Sequence, residues 1–365
     1  MKIKDKISSW FIRNILIPKM EIINKPGFIL MKFPFKEEES LREIGIPETL
    51  FVNLEKTTIN PIVFYSIGKK FAYLHASMLQ LPTSKDRNFK NFANFFVNYI
   101  GTIYGQIHHD INLPTKTLKL YMQNYIICPK NGLGYIFSEG VVAGIWSYAF
   151  QDYSIEAVQI KCQGRGDKVC EVICSPSKKL NKMKLKFFIV RDLENVRLNE
   201  GYKEMNKVRE AQYAKNSLED LINSGFIKYS YGVVNYKEDR YFLCEASLMY
   251  ILERELKKLN NANKILFDVS FNWGRELIKK EKQDPCKFIM DFIPALGWGD
   301  IVVLKKENKY SVVISYFPWT KWADEINFTM IRGMLSGILS ANRKVLLKKI
   351  KKDISKGYLS LWFSE

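Results

Sequence analysis

Two cysteines in the run 160–174 (IKCQGRGDKVCEVIC) have the spacing of a metal half-site. Gly164, Gly166 and Asp167 are turn formers between two arms of alternating apolar residues, so the run reads as a β-hairpin. Cys162 and Cys170 then sit on opposite arms, near enough to share one ligand. Two thiolates on a hairpin are half of a tetrahedral zinc site, which needs two more ligands. Cys128, just before the turn formed by Pro129, Lys130, Asn131 and Gly132, is a third candidate, and Cys174, Glu156 or Gln159 could complete the set. The alternative is that these cysteines are small buried side chains on strands.

Other chemistry is thinly supported. The chain has three histidines, His75, His108 and His109. The pair His108 and His109 is followed by Asp110, but adjacent residues point to different sides of any regular element, and a loop before Asn112 and Pro114 is the expected setting. Phosphate-loop, metallohydrolase and nucleophile-elbow motifs are missing from the sequence, so an enzyme is not the expectation. Aromatic residues make up 14% of the chain, and the stretches 92–104 (FANFFVNYIGTIY) and 146–153 could line a cavity for an apolar or aromatic ligand. Phe96, Tyr104 and Trp146 are the candidate lining residues.

The elements that must hold these residues occur twice. Residues 22–29 (IINKPGFI) resemble 221–227 (LINSGFI), 67–71 resemble 273–277, Tyr104 and Gly105 match Trp298 and Gly299, and 140–147 (GVVAGIWS) match 333–340 (GMLSGILS). The pairs keep one order, which predicts a duplication. The Pro, Ser and Lys-rich stretch 175–184 predicts the junction, giving domains 1–190 and 191–365. Each is expected to open on an amphipathic helix, 3–15 in the first domain and 208–221 in the second, the latter with Ser217 as a cap. Helices are predicted over 245–259 and 262–282, and strands over 119–127 and 310–317. The expected class is α/β of the α+β type: two tandem copies of a small antiparallel sheet covered by helices. Glycines four apart on the last helix of each copy make a smooth stripe that admits a close-packed neighbour.

The glycine-spaced helix, followed by Cys162, Gly164, Gly166, Asp167 and Cys170, resembles the closing half of the 4-vinyl reductase domain family. Its opening half is echoed by Gly225, Phe226 and Ile227, by 240–243 and by the helices over 253–274. The resemblance implies a ligand-binding fold like that of haem-type gas sensors and vesicle-tethering subunits, enclosing an apolar pocket for a sensory role. It also implies zinc held by Cys162, Cys170 and an upstream cysteine, for which Cys128 is the candidate, with an acid three residues before the first hairpin cysteine. Gln159 occupies that last position, and the second copy, degenerate in this respect, has no cysteine over 351–364.

With 365 residues, 47% of them hydrophobic and 26% charged, the chain has material for two ordinary domains. Its net charge of +18 raises the alternative of nucleic-acid binding, through the basic runs 343–356 and 177–186, or of a tethering role at a membrane surface through the first helix. Neither a membrane span nor a signal peptide is read from the sequence, so the expected compartment is the cytoplasm, where cysteines stay reduced. A homodimer or a partner protein would have to carry any output of sensing.

Overall fold

A computed structural model describes residues 22–33, 36–104, 106–125, 136–193, 207, 209–230, 233–281, 283–318, 325–341, 345–353 and 357–364. The predicted helix over 3–15 and Cys128 lie outside them. In chain order the elements are β1 (Ile22–Lys25), β2 (Phe28–Phe33), β3 (Lys36–Pro47), α1 (Glu48–Glu55), α2 (Pro61–Met78), α3 (Phe89–Tyr104), β4 (Gln106–Asn112), β5 (Thr117–Gln123), α4 (Ile136–Phe150), β6 (Ile155–Lys161), β7 (Cys170–Pro176) and α5 (Ser177–Lys182). There follow α6 (Leu218–Asn223), β8 (Lys228–Ser230), β9 (Val233–Tyr236), β10 (Asp239–Glu245), α7 (Ser247–Lys257), α8 (Ala262–Lys279), α9 (Pro285–Ala295), β11 (Asp300–Lys306), β12 (Lys309–Ser315), α10 (Thr329–Leu339), β13 (Leu346–Asp353) and β14 (Tyr358–Ser364). The class is α+β, with three antiparallel sheets. No described helix is long and apolar enough to cross a membrane.

One order of elements occurs twice. Two helices, a hairpin, a helix and a second hairpin run from α2 to β7 and again from α8 to β14. The sheets are ordered β4-β5-β7-β6 and β11-β12-β14-β13, the same topology. In each run the glycine stripe seats one helix directly on another. A Cβ at Gly68, Gly140 or Gly144 would lie 2.1 to 2.2 Å from a main-chain oxygen of the facing helix, α4 or α2. At Gly274, Gly333 and Gly337 the corresponding distances, between α8 and α10, are 2.1, 2.6 and 2.1 Å. Only hydrogen fits at such a crossing.

The compact units do not follow a single cut near residue 190. One contains the described residues of Thr58–Arg197 and Ser230–Val233, and the other those of Met20–Thr57, Leu198–Tyr229 and Val234–Glu365. The early strands join the second unit because β3 pairs with β10, with Tyr241 opposite Pro47 and Glu245 opposite Glu43, in a six-stranded sheet ordered β1-β2-β3-β10-β9-β8. Buried Arg42 fixes the arrangement by donating to the carbonyls of Gly27 and Gly297, both at 3.1 Å, with its guanidinium 4.4 Å from the centre of the Phe28 ring. Gly45 donates its N–H to Leu296 at 2.8 Å, and the Trp298 indole donates to the Gly45 carbonyl at 3.0 Å.

The helix expected over 208–221 is confined to α6. Its cap is as read: Ser217 and Asp220 form a reciprocal capping box. Upstream, the buried Asp300 carboxylate accepts the N–H groups of Gln212, Tyr213 and Ala214 at 2.7 to 3.1 Å, so these donors serve a side chain instead of a helical ladder.

Candidate functional site

In the first unit, α3 and α4 lie over β4 and β5 and line an apolar cavity of about 110 Å³. Phe89, Phe92, Ala93, Phe96 and Val97 line it from α3, and Val141, Val142, Ile145, Trp146 and Ala149 from α4. Ile107, Leu118, Leu120 and Met122 form its floor. The sequence dictates this lining by two periodicities: on α3 the apolar residues recur at helical spacing, while on β5 alternate residues Leu118, Leu120 and Met122 turn inward. Aromatic contacts brace the wall, Phe92 stacking on Phe96 at 5.8 Å between ring centres and Trp146 meeting Phe150 edge-on at 5.2 Å. Polar groups reach it at the margin, where the hydroxyls of Tyr125 and Ser138 are 3.2 Å apart. The Trp146 indole N–H is satisfied by the Lys116 carbonyl at 3.1 Å, which holds the ring against the cavity.

Phe96 and Trp146, singled out in the sequence by their aromatic context, are thus brought together. Tyr104 ends α3, but its side chain lies outside the described residues. The aliphatic floor and Val141 and Val142 carried no signal beyond ordinary core patterning.

The cysteine hairpin forms as expected from β6 and β7, closed by a single 3₁₀ turn over Gln163–Arg165 and by Gly166 in the left-handed region. Lys161 pairs with Glu171, which sets Cys162 and Cys170 across the base of the hairpin, both fully buried. Asp167 accepts the Cys162 N–H at 2.8 Å, and the Gln163 N–H donates to Cys170 Sγ at 3.3 Å. Among the described residues no group of three or more His, Cys, Asp or Glu could hold a metal ion.

No protein-family model and no curated protein matches the chain in sequence.

The other candidate ligands have other tasks. Cys174 lies further along β7, opposite Leu118 and Ala157, and burial, opposed by Lys69, pushes its thiol well above the usual range. Glu156 is taken up by a buried charge cluster. Its carboxylate contacts Lys69 at 2.8 Å and Arg191 at 2.7 Å, and accepts from the Tyr65 hydroxyl at 2.8 Å and the Val190 N–H at 3.0 Å. Lys69 also donates to the carbonyls of Tyr153 and Val190. Burial dominates at both ends, holding the Glu156 carboxyl above and the Lys69 ammonium below their ordinary pKa values despite the contact. The cluster ties the extended segment through Val190 and Arg191 to α2 and β6, a structural role. Gln159 donates its main-chain N–H to Glu139, in the first turn of α4, at 2.7 Å.

His108 and His109 lie on strand β4 and not in a loop, because Gln106 to Asn112 pair residue by residue with β5. They do face opposite ways: His108 is exposed, and His109 reaches Asn94 of α3 at 2.7 Å through Nε2.

Proposed function

We propose that the first unit is a small-molecule-binding module that takes an apolar or single-ring aromatic ligand between α3, α4 and β5. The observation that supports this most directly is the lining: Phe89, Phe92, Phe96, Met122, Ile145 and Trp146 around about 110 Å³, with hydroxyls only at one margin. An apolar cavity of this order accepts a benzene-sized guest. The resemblance of the glycine-spaced helix and cysteine hairpin to the 4-vinyl reductase domain family points the same way. Tyr125 and Ser138 offer one polar contact to orient a substituted ring.

Toluene at about ten times its dissociation constant is expected to stabilise the unit by about 1.4 kcal/mol, raising its melting temperature by roughly 3–5 °C. Ala93→Phe, which fills the cavity from α3, is expected to keep the fold and abolish the shift. A parent protein that ignores toluene, or a variant that responds equally, would overturn the reading.

Zinc belongs to this proposal through Cys162 and Cys170, with Cys128 as the third ligand and a structural role in closing the hairpin. Elemental analysis is expected to find about one zinc per chain and to find it lost in the Cys162→Ser, Cys170→Ser double variant. A metal-free parent would leave the two thiols as buried packing.

A further inference from the structure

The sheet of the second unit has a described outer face unlike its counterpart in the first. Cross-strand register places Leu304, Ser311, Trp362 and Lys349 in one row, and Val302, Val313, Ser360 and Lys351 in the next. Lys306, Lys309, Ser364 and Leu346 form a third row at the hairpin end. The alternate residues Val303, Val312 and Leu361 are buried on the inner side, so these rows face outward. Leu304 is 60% exposed, Trp362 is half-buried, and the four lysines are exposed. The Lys349 ammonium stands 5.7 Å from the centre of the Trp362 ring. Leu304, Lys306, Lys309, Ser311 and Trp362 border a groove of about 310 Å³.

The first unit provides an internal comparison, because its sheet has the same topology. There the matching rows are Asp110, Lys119, Ile173, Val158 and His108, Tyr121, Glu171, Lys161. Glu171 and Lys161 form an ion pair at 2.9 Å. Where the first unit has Asp110 and Glu171, the second has Leu304 and Ser360; its three rows are without acids, which stand in the next register row, Asp300 and Asp353, and in the turn beyond, Glu307. A face with balanced charge in one unit is basic, with a large ring at its centre, in the other.

We propose that this outer face binds single-stranded nucleic acid, a base stacking on Trp362 while Lys306, Lys309, Lys349 and Lys351 meet the phosphates. Lysines around an aromatic ring on an open sheet match the two features such a strand repeats, an anionic backbone and a flat π-face. Trp362 lines the groove together with Lys306 and Lys309, which gives a splayed base and its phosphate adjacent places. The site is independent of the cavity proposed for the first unit.

Polarisation of a fluorescein-labelled 12-nucleotide oligouridine, titrated with the full chain at 50 and 200 mM NaCl, tests this. Binding is expected to weaken with salt. Trp362→Ala is expected to weaken it roughly tenfold and Trp362→Phe to retain most of it. Lys349→Ala with Lys351→Ala is expected to reduce the log–log salt slope by about 1.4, whereas Lys119→Ala with Lys161→Ala in the first unit leaves binding unchanged. The proposal is overturned if the parent does not bind at 50 mM, if Trp362→Ala binds as the parent does, if the first-unit pair matters as much, or if phosphatidylserine vesicles are bound in preference to the oligonucleotide.

Discussion

Alanine at Gly140 is expected to destabilise the first unit by about 3 kcal/mol, and alanine at Gly337 to do the same to the second. The added methyl groups would stand 2.1 Å from the carbonyl oxygens of Tyr65 and Phe271, main-chain atoms within the facing helices. Neither helix can yield locally, since each oxygen belongs to a helical ladder, so the whole crossing must open by about an ångström. Opening α2 from α4 also loosens Ala72 and Ala143, which are buried beside the stripe. Urea unfolding of each variant checks the prediction, and Gly166→Ala provides a contrast. Nothing lies within 4 Å of that methyl position, and its cost comes from a φ of +95° alone, on the order of 1–2 kcal/mol. Equal midpoints for Gly140→Ala and the parent would mean that the helices are not in contact through the stripe.

Raising the pH from 5.5 to 8 is expected to weaken the second unit by about 2 kcal/mol through Glu245 alone. Glu245 and Glu43 are direct cross-strand partners where β10 meets β3, and both are buried. Burial raises the Glu245 carboxyl to about 7, although hydrogen bonds from Ser247 oppose the shift. Glu43 is raised well above its ordinary value by burial and then by Glu245. A carboxyl whose folded pKa exceeds its unfolded value of 4.5 binds its proton more tightly when folded. The resulting stability is therefore full below about pH 4.5 and lost as the pH passes through about 7. Glu253, also raised to about 7 by burial, acts in the same direction, while the N–H groups of Thr329 and Met330 restrain it. Denaturant midpoints at the two pH values measure the effect, and Glu245→Gln should narrow the difference. A parent equally stable at pH 5.5 and pH 8 would show that the pair does not hold its protons.

The glycine stripe was legible because its cause is local: residues four apart on one helix share a face whatever surrounds them. The hairpin of Cys162 and Cys170 was legible for a similar reason, since Gly166 demands a turn and the flanking arms alternate. Phe96 and Trp146 could be found as cavity residues because aromatics concentrate there, whereas Leu118 and Val142 look like any core residue. The partnership of β3 with β10 had no local signature, because antiparallel pairing leaves no mark of which distant strand is the partner. Nor could the sequence show that one carboxylate, Asp300, would hold three successive N–H groups and prevent a helix over 209–216. The periodicity there is helical, and a tertiary contact overrides it.

That long-range pairing has a consequence for how the chain is made. Most of the first unit, Thr58–Arg197, is one stretch whose sheet and helices are complete once that stretch has left the ribosome. The second is not complete so early, because β3 waits for a strand synthesised roughly 190 residues later, an interval of some tens of seconds at ordinary elongation rates. During that interval the hydrophobic residues of β2, β3 and α1, among them Phe28, Ile44, Ile46 and Phe51, lack their eventual cover. β2 and β3 thus leave the ribosome well before the strand that covers them, an interval in which exposed apolar chain is open to aggregation and to chaperones.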